Sequence, residues 1–113
     1  HMNCLFCAIR DGDIPSTKVY EDDTVLAFRD IHPMAPVHVL IIPKLHIPSA
    51  DGVTPENSAY VAHIFEVIPR IAAAQGLKSG YRVITNCGED ACQSVKHLHF
   101  HLLGGRKLPE SMS

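Results

Sequence analysis

The sequence lacks several features that would point to particular classes of protein. Its apolar stretches fall far short of the roughly 20 residues that a membrane-spanning helix needs, and it has no run of Lys or Arg of the kind that binds nucleic-acid polymers. No positively charged leader with an apolar core stands at its start. We therefore expect a cytoplasmic protein without a membrane or nucleic-acid partner, whose ligand is a small molecule.

The remaining composition is typical of one small globular domain. The chain has 113 residues, 46% of them hydrophobic, and a formal net charge of −2, which suffices for a single core but not for several domains. His1-Met2 is typical of the remnant of an expression tag, so we assign the domain to residues 3–113.

Cysteine is scarce, with four residues in the chain. Nothing indicates the oxidising compartment in which they would pair as disulfides, so we expect reduced thiols or a metal site. Cys4 and Cys7 form a CxxC motif, which on its own is equally compatible with zinc binding, redox chemistry and chance.

The order of the predicted elements indicates an α+β fold with a mainly antiparallel sheet. Alternating or continuous apolar residues predict strands at 18–21, 24–29, 37–43 and 81–86, and a fifth that begins at His97. One long helix lies between the third and fourth strands.

The predicted helix has a start signal, a stop signal and one interruption. Thr54 is a candidate N-cap with Pro55 at the first helical position, and an apolar stripe recurs at spacings of three and four from Val61 to Ala72. Pro69 should kink the helix, and Gly76 is placed to end it.

The segment "HLHFHLLGG" carries a histidine at every second position. Because two is the period of a strand, we expect its three histidines on one face and its apolar residues on the other. The histidines are His97, His99 and His101, and the apolar residues are Leu98, Phe100 and Leu102.

This spacing leaves several interpretations open. The histidines could be solvent-facing polar residues, they could bind a zinc ion that activates water, or the middle one could attack phosphorus as a nucleophile. Asn86, Ser94 and His38 offer further groups suited to an anionic phosphate, which favours a phosphate pocket.

Beyond these residues, "HLHFHLL", "IPSTKVYEDDTVLAFRDIHPMAPVHVLIIPKLHI" and "GYRVITN" together resemble the histidine-triad family. "APVHVLIIPK" and "HLLGGR" are most similar to its nucleotide-binding branch. The resemblance implies a five-stranded, mainly antiparallel sheet with one long helix and a short N-terminal helix, and a homodimer.

The resemblance also implies a reaction, the hydrolysis of purine nucleoside 5′-phosphoramidates or adenylates through a nucleotidyl-His99 intermediate, without a catalytic metal. His101 and His38 match positions that contact the phosphate, and the carbonyl of His97 matches the group that orients the nucleophile. Ser94 and Asn86 match hydrogen-bond donors on the phosphate side.

The nucleoside part of the ligand has its own matching positions. Asp30 matches the acceptor of the ribose hydroxyls, a role that suits a carboxylate. An apolar slot for the purine base is formed at the positions of Leu5, Phe6, Ile9, Ile14, Phe28, Ile31 and Leu40.

A structural zinc site is implied as well. In many relatives two cysteines and two histidines bind zinc at the positions of Cys4, Cys7, His46 and His97, a sound tetrahedral set.

The sequence departs from the family in two places. Ala91-Cys92 replaces a usual Gly-Gly, so Cys92 would adopt a backbone conformation that favours glycine, and the tail has no tryptophan. Two alternatives stay open, a metal-dependent phosphohydrolase with His97, His99 and His101 as ligands and a non-catalytic nucleotide-binding or interaction module.

Overall fold

The computed structural model describes residues 3–111, so His1-Met2 and the last two residues of the assigned domain lie outside the described residues. Within them the chain forms two α-helices and five β-strands. The helices are α1 (Leu5–Arg10) and α2 (Ser58–Ala74). The strands are β1 (Lys18–Glu21), β2 (Val25–Arg29), β3 (Val37–Pro43), β4 (Tyr81–Ile84) and β5 (Phe100–Gly104).

The five strands form one antiparallel sheet in the order β1-β2-β3-β5-β4. Asp22 closes the first hairpin, because its Oδ1 accepts the backbone N–H groups of Thr24 and Val25, both at 2.9 Å. In the register of the inner strands, His101 lies opposite Leu40 on one side and Ile84 on the other. The predicted α+β fold is confirmed.

The two helices cover opposite faces of the sheet. The α2 face carries the larger core, in which Ile64 and Ile68 pack with Leu98, Phe100 and Leu102. On the other face, α1 lies over a smaller cluster made by Phe6, Ile9, Leu26, Phe28, Leu40 and Ile42. Each fully buried apolar side chain contributes about 1.5–3 kcal/mol, so both layers stabilise the fold. The alternation of the histidine segment is thereby confirmed, since its apolar residues face α2.

The predicted start of α2 was wrong by several residues. Residues 54–57 form a turn in which Asn57 Oδ1 accepts the N–H of Thr54 at 2.7 Å, and the N–H of Ser58 donates to the Thr54 carbonyl at 2.8 Å. The α-helix begins at Ser58, since Asn57 rather than Thr54 occupies the N-cap position.

The end of α2 is where the sequence predicts it. The helix continues past Pro69 to Ala74, and Gly76 ends it with φ +77°. The N–H of Leu77 donates back to the Ala72 carbonyl at 2.9 Å, the Schellman arrangement for which glycine is favoured. Phe65 departs from the predicted stripe, since it is 52% exposed.

The fifth strand is shorter than predicted. It begins at Phe100, because the N–H of Leu98 donates to the carbonyl of Ile47 at 2.6 Å instead of joining the sheet. His97 and His99 therefore precede the strand, although they keep the alternation that the sequence predicted.

No helix within residues 3–111 is long and apolar enough to cross a membrane.

Candidate functional site

A cavity of about 350 Å³ opens between α1, the end of β2 and the loop before β5, a volume within the usual range for small-ligand pockets. His99, His101 and Asp30 line it. All seven residues predicted for the apolar slot line it too: Leu5, Phe6, Ile9, Ile14, Phe28, Ile31 and Leu40. The cavity therefore joins an apolar wall to a polar end.

The ring of His99 is held in one orientation. Its Nδ1–H donates to the backbone carbonyl of His97 over 2.6 Å, which leaves the lone pair on Nε2. Phe6 packs edge to face against the ring, with centroids 4.9 Å apart, and the Thr85 hydroxyl donates to the His99 carbonyl at 2.8 Å. Burial lowers the pKa of His99, partly offset by the bond to His97.

His101 and His38 form a second imidazole pair. His38 Nε2 lies 2.9 Å from His101 Nδ1, and His38 Nδ1 accepts the backbone N–H of Met34 at 3.0 Å. Burial is the main cause that lowers the pKa of both rings, that of His101 to about 4. Both are thus neutral at pH 7.

Asp30 lies at the end of β2, between the cavity and His38. Its Oδ1 accepts the N–H of His32 at 2.8 Å, and its Oδ2 lies 3.5 Å from His38 Nε2. Each carboxylate oxygen can accept more than one hydrogen bond, so the group retains capacity for two neighbouring hydroxyls.

The two predicted phosphate donors are placed differently. Ser94 lines the cavity, whereas Asn86, two residues beyond the end of β4 at Ile84, does not. Sequence reasoning missed five further lining residues: Pro15, Ser16, Arg29, His32 and Val95. Four of them adjoin a predicted residue in the sequence, which is their only signal, whereas Ser16, between Pro15 and Thr17, has none.

A second cluster lies next to the cavity, and it unites Cys4, Cys7, His46 and His97. His97 Nδ1 lies 3.4 Å from Cys4 Sγ and 3.5 Å from Cys7 Sγ. His46 Nδ1 lies 3.3 Å from Cys7 Sγ and 3.2 Å from His97 Nδ1. The predicted four-residue set is therefore brought together.

These distances fit a tetrahedral zinc ion. With ordinary Zn–S and Zn–N bonds, the edges of the tetrahedron would be about 3.6 Å between sulfur and nitrogen and about 3.4 Å between two nitrogens. The Nε2–H of His97 donates to the Pro43 carbonyl at 2.8 Å, which leaves Nδ1 unprotonated toward the cluster, as a metal ligand requires. The cluster is compatible with a structural zinc.

The arrangement does not support a zinc site made by the three histidines of the motif. His97 directs Nδ1 to the cysteines, and its Nε2–H is occupied by the Pro43 carbonyl, so neither ring nitrogen of His97 is available to a metal shared with His99 and His101. A different trio, Asp30, His38 and His101, places its potential ligand atoms within 4.8 Å of one another. The N–H of Met34 at His38 Nδ1 keeps the proton of His38 on Nε2, which opposes metal binding there.

Cys92, which stands where the family usually has glycine, adopts the glycine-favoured backbone conformation that the sequence predicts. Its φ is +57° and its ψ is +40°, and it is the one non-glycine residue with positive φ among residues 3–111. Side chains disfavour this left-handed region.

Comparison with known proteins extends over nearly the whole chain. The sequence matches the HIT domain family over residues 11–108. It is 49% identical over 110 residues to the 14 kDa zinc-binding protein of Zea mays, covering 92% of this chain and 83% of that protein. It is 45% identical over 111 residues to the adenylylsulfatase HINT1 of Arabidopsis thaliana, covering 92% of this chain and 72% of that protein.

A solved structure shares the fold. The HIT family hydrolase from Clostridium thermocellum superposes with a TM-score of 0.96 at 45% identity, covering 100% of this chain and 99% of that one. With the family match, the shared sheet and the histidine motif in agreement, the chain belongs to the HIT domain family.

Proposed function

We propose that the protein hydrolyses purine nucleoside 5′-phosphoramidates or adenylates to the nucleoside monophosphate. One observation carries this proposal: the carbonyl of His97 holds the Nδ1–H of His99 at 2.6 Å, so that the free Nε2 lone pair belongs to a ring lining the cavity. A neutral imidazole with this tautomer is a nucleophile without prior loss of a proton.

The reaction takes place in two steps. His99 Nε2 attacks the α-phosphorus, a P–N(His) bond forms, and the bond to the leaving group breaks, the leaving group taking a proton from solvent. Water then attacks the same phosphorus, the P–N(His) bond breaks, and the monophosphate leaves while the proton of the water passes to solvent. His99 returns to its starting tautomer.

The remainder of the cavity supports the nucleotide as substrate. The apolar wall suits a purine ring, and Asp30 suits the ribose hydroxyls. The HINT1 relative is named an adenylylsulfatase, and the structural neighbour is named a hydrolase. Both names favour turnover over binding alone, and the first favours an adenylyl compound as substrate.

The cluster of Cys4, Cys7, His46 and His97 is proposed to bind a structural zinc ion. A relative named as a zinc-binding protein supports this assignment. Zinc would hold the start of α1, which carries Cys4 and Cys7, to the segments that follow β3 and precede β5, which carry His46 and His97. It takes no part in either chemical step.

The proposal is tested by mass spectrometry of the intact protein during incubation with adenosine 5′-phosphoramidate, while release of AMP is followed. We expect a transient adenylyl adduct in the parent and none in His99→Ala, which should still bind AMP. His63→Ala, a histidine on the other face of the sheet, serves as control and should form the adduct.

Each other outcome rejects part of the proposal. Release of AMP that a chelator abolishes, without an adduct, would indicate a metal-dependent hydrolase. Tight AMP binding without release or adduct would indicate a binding module.

We also propose that the protein forms a homodimer through α2. Phe65 of this helix is 52% exposed, although its ring packs edge to face on Phe100 of the sheet with centroids 5.4 Å apart. Light scattering should show that Phe65→Glu dissociates the dimer, whereas Leu45→Glu, at an exposed loop position, leaves it intact. A monomeric parent protein would reject the proposal.

A further inference from the structure

We infer that the backbone N–H of Met34 determines, through His38, which nitrogen of His101 carries its proton. The consequence is that His101 meets the substrate as a hydrogen-bond donor at Nε2. The tautomer assignment is argued from hydrogen-bond geometry and burial, and only its effect on turnover rests on the proposed function.

The first step concerns His38. A backbone N–H can only donate, and that of Met34 lies 3.0 Å from His38 Nδ1, so Nδ1 must present a lone pair. A neutral imidazole has one N–H, and burial lowers the pKa of His38, which keeps the ring neutral. The proton of His38 is therefore on Nε2.

The second step concerns the group that accepts this proton. His38 Nε2 lies 2.9 Å from His101 Nδ1 and 3.5 Å from Asp30 Oδ2. Only the shorter distance is within the ordinary range of an N–H hydrogen bond. His101 Nδ1 is consequently the acceptor, and the proton of a neutral His101 lies on Nε2.

The two histidines of the cavity thus receive opposite tautomers from the backbone. The carbonyl of His97 gives His99 a bare Nε2, and the amide of Met34 gives His101 an Nε2–H. One ring can attack phosphorus while the other donates to a non-bridging phosphate oxygen, a division of roles that suits a phosphoryl pocket. No proton is transferred in this contact, so His101 stays neutral.

The backbone amide of Met34, and not its side chain, is the positioning group, since the residue is 73% exposed. Met34→Pro removes the N–H, whereas Met34→Ala retains it. The two variants therefore separate the loss of the amide from the loss of the side chain.

The experiment is ¹⁵N NMR of the full-length protein with labelled histidine at neutral pH. In the parent and in Met34→Ala we expect unprotonated Nδ1 and protonated Nε2 for both His38 and His101. In Met34→Pro both rings should show mixed tautomers, and kcat should fall about tenfold with KM nearly unchanged, because a single phosphate donor is misplaced for part of the time.

A parent protein with the His101 proton on Nδ1 would overturn the inference. So would Met34→Pro with unchanged tautomers. If Met34→Pro does not fold, His38→Ala replaces it, and the His101 tautomer should then become mixed. If NMR shows the expected tautomers but the protein hydrolyses no substrate, the proposed function is rejected and the inference about the tautomers stands.

Discussion

The carbonyl of His97 accepts the Nδ1–H of His99 over 2.6 Å, while the side chain of His97 lies within the Cys/His cluster. One residue therefore belongs to both centres of the molecule. Because zinc would fix the side chain of His97, it would also fix the carbonyl that orients the nucleophile. This contact would couple the proposed structural metal to the proposed reaction without placing the metal at the reacting phosphorus.

We predict that Cys7→Ser removes zinc and lowers activity as well as stability. Loss of one ligand should abolish retained zinc, lower the melting temperature and reduce kcat roughly 10- to 100-fold, the range typical of lost support around a metal. Metal analysis, thermal melting and steady-state kinetics measure the three effects. Cys87→Ser, outside the cluster, is the matched control.

A Cys7→Ser protein that lacks zinc but retains the parental kcat would show that the His97 carbonyl is positioned by the protein alone. Retention of one zinc per chain would instead reject Cys7 as a ligand.

A second prediction concerns Asp30. Asp30→Asn retains an oxygen for the N–H of His32 but removes the charge, so hydrogen bonds to the ribose should weaken and KM should rise about tenfold, the usual difference between charged and neutral acceptors. With a 2′,3′-dideoxy substrate, parent and variant should have similar KM values. An equal rise with both substrates would place Asp30 on the phosphate side, acting through His38.

Much of this site could be predicted from residue types and their spacing. The period of two placed Leu98 and Phe100 against α2 and His99 against α1, because side chains alternate in any extended segment whether or not it joins a sheet. The seven apolar positions of the slot, which the resemblance to the family implied rather than the spacing, also all line the cavity.

Other parts depend on backbone groups, which residue types do not reveal. The N–H of Leu98 binds Ile47 and delays the start of β5, and the amide of Met34 sets the tautomer of His38. Asn86, which follows the end of β4, is not among the residues that line the cavity. These contacts arise from loop geometry, for which the sequence has no periodic signal.

A third prediction tests backbone strain at Cys92. Since its φ is +57°, Cys92→Gly should be more stable than Cys92→Ala by about 1 kcal/mol, in spite of the greater flexibility of glycine in the unfolded chain. Urea denaturation of the two variants gives the difference. Ala73→Gly in α2 is the control, and should lower stability by about 1 kcal/mol. Equal stability of the two Cys92 variants would show that the loop relaxes the strain.

The fourth prediction concerns His63, which links α2 to the first hairpin. Its Nε2 lies 2.7 Å from Asp22 Oδ2 and its Nδ1 lies 3.0 Å from Glu66 Oε1. These contacts, the one with Asp22 first, raise the pKa of His63. Burial alone would raise the pKa of Asp22, but hydrogen bonds from Tyr20, His63 and the backbone hold it below its usual range. Asp22 therefore stays ionised from weakly acidic to alkaline pH.

A group whose folded-state pKa is raised stabilises the fold fully below its unfolded pKa, near 6.5 for histidine, and loses that effect as the pH rises through the folded value. His63→Gln should therefore lower the free energy of unfolding relative to the parent at about pH 5.5, and the difference should shrink by about pH 9. Taking the difference at each pH removes the opposite contribution of the buried histidines, whose pKa values are lowered. A difference that is constant with pH would mean that His63 stabilises the molecule by packing alone.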